Sequence, residues 1–166
     1  MDAAVKTVPS GEELVARARD LAPLLAARAD ATDDNRSMLP ENHAALREAG
    51  LFRIMQARAY GGYELGVPVL AEVVLEIAKG CASDAWIVGL CGNQNRFIGC
   101  YPKRAQDEVY ERSGEDLLTC LVTGPTATAE KADGGYRLTG RWPYVSGVDQ
   151  CNWLLLSAFD PDAKEK

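Results

Sequence analysis

Tyr144, Ser146 and Gly147 are the residues whose types and spacing bear most directly on chemistry. An aromatic plate, a hydroxyl two positions on and a glycine that admits a backbone at close range suit the walls around a flat polar heterocycle. The same trio also suits a hairpin with a packed aromatic corner, and spacing alone leaves both readings open. The trio ends the run Asp133 to Trp153, DGGYRLTGRWPYVSGVDQCNW. Asp133-Gly134-Gly135 is a tight-turn signal. Tyr136, Leu138, Gly140 and Trp142 then alternate with Arg137, Thr139 and Arg141, the period of a half-buried strand. Pro143 has no N–H for a ladder and ends the pairing.

The elements upstream read as helices. Ser10 with Glu13 forms a capping box, and Leu14, Leu21, Leu24 and Leu25 repeat at helical spacing, which predicts a helix over about 11–31. Asp30, Asp33 and Asp34 oppose the dipole at its end and are expected to terminate it; a solvated helix end explains them better than a metal site. Pro40 opens a second helix that Gly50 closes, and it carries His43, the only histidine. Residues 51–55 form a short apolar run, strand or extended. AYGGYELG (59–66) reads as a tight connection, with a contact role left open. Pro68 begins a third helix with Leu70, Val73, Val74 and Ile77 on one face. Ser83 is expected to cap a fourth, apolar as far as Gly92, with Trp86, Gly89 and Gly92 on it. Asn93, Gln94, Asn95 and Arg96 then form an abrupt polar group, either a helix end meeting solvent or a set facing a pocket. Pro102 opens a fifth helix through Tyr110, broken at Ser113-Gly114. LLTCLV (117–122) and NWLLLSAF (152–159) have strand character, and GPTATA (124–129) reads as a polar turn between strands.

The fold class is therefore α+β: an N-terminal α-helical domain over 1–114, then the first strands of an antiparallel β-domain over 115–166. With 47% apolar and 25% charged residues in 166, the balance is that of a soluble globular protein. A net charge of −6, with no Lys/Arg cluster, argues against nucleic acid. No stretch approaches the ~20 apolar residues of a membrane helix, and the N-terminus lacks the pattern of a signal peptide. Cys81, Cys91, Cys100, Cys120 and Cys151 are scattered and odd in number, as expected of buried thiols in a reducing compartment. One histidine and no C-x-x-C leave no basis for a metal centre, and a cytoplasmic location is expected.

The run DGGY–G–W-P-Y-x-S-G resembles the first hairpin of the middle domain in the acyl-CoA dehydrogenase superfamily, in the version carried by its flavin-dependent monooxygenase branch. Arg36 with Leu39-Pro40, LREAGLFR (46–53), YGGYEL (60–65), SDAW (83–86) and GPTATA fall in that family's order and spacing. The resemblance covers most of 35–157. It implies a helical domain, a middle β-domain and a C-terminal four-helix bundle, of which this chain holds the first and the opening strands of the second. The expectation is a fragment, a truncated product or half of a split protein, needing the remainder or a second chain.

The resemblance implies the oxygenase component of a two-component monooxygenase, using reduced FMN or FAD from a separate flavin reductase, with O₂, to hydroxylate a small, aromatic substrate. Ser146 then meets the reactive edge of the flavin as the catalytic hydroxyl, while Tyr144, Trp142 and Thr128 contact the cofactor. Trp86, Gln94 and Asn93 line the substrate pocket. A histidine of the hydroxylases corresponds here to Gln94, which hydrogen-bonds but cannot act as a base near neutral pH. The family implies a homo-oligomer, a homotetramer. Two alternatives stand beside this reading: an FAD-dependent acyl-CoA dehydrogenase, and an inactive remnant or assembly partner.

Overall fold

The computed structural model describes residues 8–113 and 119–162, with the backbone alone at 111–113 and 119–125. Ser10 opens α1 (Gly11–Ala26) through the expected capping box. Its Oγ accepts from the Glu13 amide at 3.1 Å and Glu13 Oε2 accepts from the Ser10 amide at 2.6 Å. The long helix expected over 11–31 is instead two. Pro23 lies within α1, where it lacks the N–H for a helical bond. The helix stops one turn later, and α2 (Ala29–Asn35) starts afresh. Asp30, Asp33 and Asp34 thus lie within α2, with Asp30 in its first turn, where the dipole favours an acid.

In α3 (Pro40–Glu48) the proline occupies the first turn, and Gly50 follows at φ 78°. Residues 51–55 are turns, not a strand, and they bury Leu51, Phe52 and Ile54. The YGG loop folds back on them: the amides of Tyr63, Glu64 and Leu65 donate to the carbonyls of Arg53, Gln56 and Ile54. α4 (Val67–Ala78) buries Leu70, Val73 and Ile77. α5 (Ala82–Ile98) begins at Cys81 as its cap, so Ser83 sits inside the first turn and caps nothing. It also runs six residues past Gly92. The 93–96 group is therefore helical, and the reading of it as a helix end in solvent fails: Gln94 and Asn95 are buried. The small residues on α5 serve α4, since a Cβ on Gly92 would meet Leu70 Cδ1 at 3.0 Å.

The helices close one core. Leu14, Ala18 and Leu25 of α1, Leu46 of α3, Val73 and Ile77 of α4 and Val88 and Cys91 of α5 are all fully buried in it. A second cluster joins this layer to the strands: Ile98 with Val109 and Tyr110 of α6 (Lys103–Ser113) packs against Tyr60, Trp153 and Leu155. The Tyr60 and Tyr110 rings stack at 4.5 Å, and Tyr110 Oη donates to the Asn95 carbonyl at 3.3 Å. Burial pushes the Tyr110 phenol up to about 12.

Three strands follow, β1 (Thr119–Ala132), β2 (Gly135–Thr139) and β3 (Trp153–Phe159), in spatial order β2-β1-β3. β1 and β2 form the expected antiparallel hairpin, Ala132 opposite Gly135, but β1 and β3 pair in parallel, so the sheet is mixed. GPTATA is no turn. It lies inside β1, and its Gly124-Pro125 coincides with the break in β1–β3 pairing between Thr123 and Thr128. Proline has no N–H to give there, so the strand continues while the ladder lapses. The half-burial expected of β2 is absent: all five residues are exposed. Gly140, just beyond β2, passes so close to β1 that a Cβ would sit 2.7 Å from Ala127 Cα. The domain boundary expected at 114 lies outside the described residues. None of the described helices is long and apolar enough to cross a membrane.

Candidate functional site

A cleft of ≈ 630 Å³ lies where three segments meet: the end of α2, the first turns of α5 and the turn after Tyr144. Each wall has a local cause. At the end of α2, Arg36 takes a left-handed φ of 56° and brings Ser37 and Met38 back towards α5. From α5 come Ser83, Trp86 and Ile87, on the side of the helix away from α4. The third wall is Val145, Ser146 and Gly147, shaped by two positive φ angles, 60° at Tyr144 and 84° at Gly147. The glycine meets this at no cost, whereas an aromatic residue there is strained. The Ser146 amide donates to the Tyr144 carbonyl at 2.9 Å, tightening the turn.

This turn is fastened to the helical layer. Ser37 Oγ donates to Asp149 Oδ2 at 2.9 Å, and Gln150 Nε2 donates to Ser37 Oγ at 3.2 Å. Beneath the cleft runs a buried polar chain. Arg28 Nη1 donates to Asn42 Oδ1 at 3.1 Å, and Asn42 Nδ2 donates to Asp84 Oδ2 at 2.8 Å. Asp84 is fully buried beside Ser83 and Trp86 in sequence, and burial raises its carboxyl above the usual range against the hydrogen bonds from Asn42 and Cys81. The cleft itself carries Asp33, Asp149 and Arg36, so its rim holds both signs of charge.

Of the seven residues given a role through the resemblance, two meet here, Trp86 and Ser146, although sixty positions separate them; Gly147, of the opening trio, lines the cleft beside Ser146. Trp86 is 60% exposed, its ring turned out of the helical core into the cleft. Tyr144 does not line the cleft and is 96% exposed. Thr128 sits on β1 opposite Thr139, and Trp142 Nε1 donates to the Ser157 carbonyl at 2.9 Å, so both belong to the sheet surface. Gln94 and Asn93 lie two turns along α5 from Trp86, outside the cleft. Gln94 is buried, and its Oε1 has no hydrogen-bond partner among the described residues. His43 packs edge-on to Phe52 at 5.6 Å and lines no cleft wall.

Sequence reasoning missed Thr32, Ser37, Asp149 and Gln150. Arg36 stood in a matched motif without a role. Only the residues just after the SG pair carried a hint, because the turn must rejoin the next strand. Among the described residues no three His, Cys, Asp or Glu side chains are grouped to hold a metal ion.

Comparison with known proteins bears on the family and the fold. Residues 10–106 match the family model of the acyl-CoA dehydrogenase N-terminal domain. The chain is 36% identical over 148 residues to the oxygenase component of an FADH(2)-dependent resorcinol hydroxylase of a Rhizobium species, across 89% of this chain and 36% of that protein. It is 31% identical over 136 residues to HsaA, the oxygenase subunit of a flavin-dependent monooxygenase of Rhodococcus jostii, across 82% of this chain and 35% of that protein. The solved structure of XiaF from a Streptomyces species, in complex with FADH2 and glycerol, superposes with a TM-score of 0.84 at 29% identity, over 93% of this chain and 39% of that one. The chain spans 36% and 35% of the length of these two curated relatives.

Proposed function

Because the chain belongs to the acyl-CoA dehydrogenase family, we propose that it acts within the oxygenase component of a two-component flavin-dependent monooxygenase that hydroxylates a small aromatic substrate. The observation that carries this reading is the meeting of Trp86 with the Ser146-Gly147 turn in one cleft, in a chain similar to such components. The cleft fits a flavin ring: its ≈ 630 Å³ lies within the ~300–1,000 Å³ usual for ligand sites, and it offers an indole wall, a hydroxyl and a close backbone. Reduced FMN or FAD, when bound, supplies the oxygen chemistry.

In this reading Ser146 Oγ donates a hydrogen bond to a polar atom on the ring edge and so fixes the ring's orientation. The Trp86 indole shields the reacting face from water. Tyr144, Trp142 and Thr128, which lie outside the cleft, give the cofactor its support on the sheet side, where the Tyr144 ring is 96% exposed. Gln94 and Asn93 lie outside this cleft, and Gln94 Oε1 accepts from a substrate hydroxyl only where the remainder of the fold extends the pocket along α5; neither takes the proton. A separate flavin reductase supplies the reduced cofactor, and the complete protein is a homotetramer in the cytoplasm. The domain boundary is placed near 114, and the remainder of the fold, or a second chain, covers the exposed sheet. The stretch 1–166 by itself is inactive.

The test is an anaerobic titration of reduced FMN and of reduced FAD into the product of the native gene, followed by flavin fluorescence. Ser146→Ala is expected to weaken binding about tenfold, the worth of one hydrogen bond of ~1.4 kcal/mol. Trp86→Ala is expected to raise the fraction of reduced flavin oxidised without product. A wild-type protein with no affinity for either reduced flavin overturns the reading.

A further inference from the structure

The cleft's third wall is held to the helical layer at a second point, by sulfur. Cys91 on α5 and Cys151, the residue that joins the Val148–Gln150 turn to β3, place their Sγ atoms 3.8 Å apart. Both are thiols. Cys91 is fully buried, while Cys151 is half-buried and packs against the edge of the same helical core. The contact joins a helix to a segment sixty residues away, and both residues neighbour the cleft, Cys91 one turn after Ile87 and Cys151 directly after Gln150.

We propose that Cys91 and Cys151 form an oxidation-sensitive pair that hydrogen peroxide closes into a disulfide, pinning the cleft wall to α5. A disulfide needs its sulfurs at about 2.0 Å, so one side must advance by less than 2 Å. The helix is held in the core. Cys151 stands in an extended link between a one-turn helix and a strand, at φ −93° and ψ 141°, and is the side that moves.

The chemistry balances with peroxide as the two-electron oxidant. The more accessible Cys151 sulfur attacks one peroxide oxygen, the O–O bond breaks, and a sulfenic acid and one water result. The Cys91 sulfur then attacks the Cys151 sulfur, the S–O bond breaks, and the hydroxyl leaves as a second water with the Cys91 proton. Two thiols and one peroxide give one disulfide and two waters. Neither remaining thiol with a described side chain shares this arrangement: Cys81 is buried at the start of α5, and the Sγ of exposed Cys100 lies 3.9 Å from the Arg96 carbonyl.

The test oxidises the product of the native gene with hydrogen peroxide, blocks residual thiols in denaturant and maps peptides without reduction. The expected result is one intramolecular link between the Cys91 and Cys151 peptides, with the loss of two hydrogens and a melting temperature raised until dithiothreitol restores it. Cys151→Ser, whose fold is checked by its melting under reducing conditions, is expected to lose both the link and the peroxide-dependent rise. If peroxide modifies Cys100 while Cys91 and Cys151 remain open to alkylation after unfolding, or oxidises either past the sulfenic stage without a link, the proposal is overturned. None of these outcomes depends on flavin binding.

Discussion

The helical and strand regions treat their apolar residues in opposite ways. Leu14, Leu25, Leu46 and Ile77 are sealed within the helical layer, whereas Tyr136, Leu138, Leu154 and Phe159 on the strands are between 43% and 64% exposed. The helices satisfy one another because each offers a single apolar stripe to a neighbour already at hand. A three-stranded sheet has two faces and two edges, and among the described residues Trp153 and Leu155 on one face pack against the helices. The contrast implies that stability lies in the first region and that the second gains its order from what covers it. The cleft lies on the seam between them, with Trp86 from the firm side and Ser146 from the other.

The largest expected effect breaks that contrast directly. Leu46→Ala removes a fully buried side chain and should cost about 2–5 kcal/mol in urea unfolding, while Leu138→Ala, half exposed on β2, should stay within ~0.5 kcal/mol. Equal losses would mean that the sheet is as well packed as the helices. Next comes Gly140→Ala, whose Cβ would press on the β1 backbone at Ala127. A cost of about 1–3 kcal/mol is expected, seen as faster amide exchange over 128–139 with the helical amides unchanged. Spread of that effect into α1 would show the two regions to be one cooperative unit.

Smaller again is Ser10→Ala. Loss of the capping box should lower stability by about 1 kcal/mol and raise exchange in the first turn of α1 alone. The smallest effect is read as a slope. Asp84 has its folded carboxyl raised by burial, so the folded state holds a proton that the unfolded state has already released. Its contribution is full below the ordinary value of 3.8 and is lost as pH rises through the higher folded value. Asp84→Asn keeps an acceptor for Asn42 and should flatten the stability–pH curve over that interval. An unchanged slope in thermal melts would assign the pH dependence elsewhere.

Much of the helical region is legible in the sequence, because a helix is specified by residues three and four apart and by its own ends. The Ser10–Glu13 box, Pro40 in the first turn of α3 and the Leu70–Val73–Ile77 stripe all stand where local rules put them. The errors there are also local. The break at Ala27-Arg28 divided what periodicity joined, and polar Asn93–Arg96 disguised the continuation of α5, because a buried Gln or Asn looks like a surface residue until its neighbours are known. For the strands, glycine and proline in GPTATA signalled a turn, yet β1 runs through them because β2 and β3 hold the strand on either side of the gap.

What the sequence determined by itself was the order of helices then strands, the caps and turns, and the identity of the aromatic and hydroxyl groups after Pro143. Each of these depends on contacts within a few residues. Only the tertiary structure decided that β3 lies parallel to β1, that Trp86 turns into the same cleft as Ser146 while Tyr144 stays outside it, and that Ser37 and Cys91 hold the far wall through Asp149 and Cys151. Those pairings join segments from 31 to 112 residues apart, and no local pattern encodes a contact whose partner is chosen by the packing of the layers between.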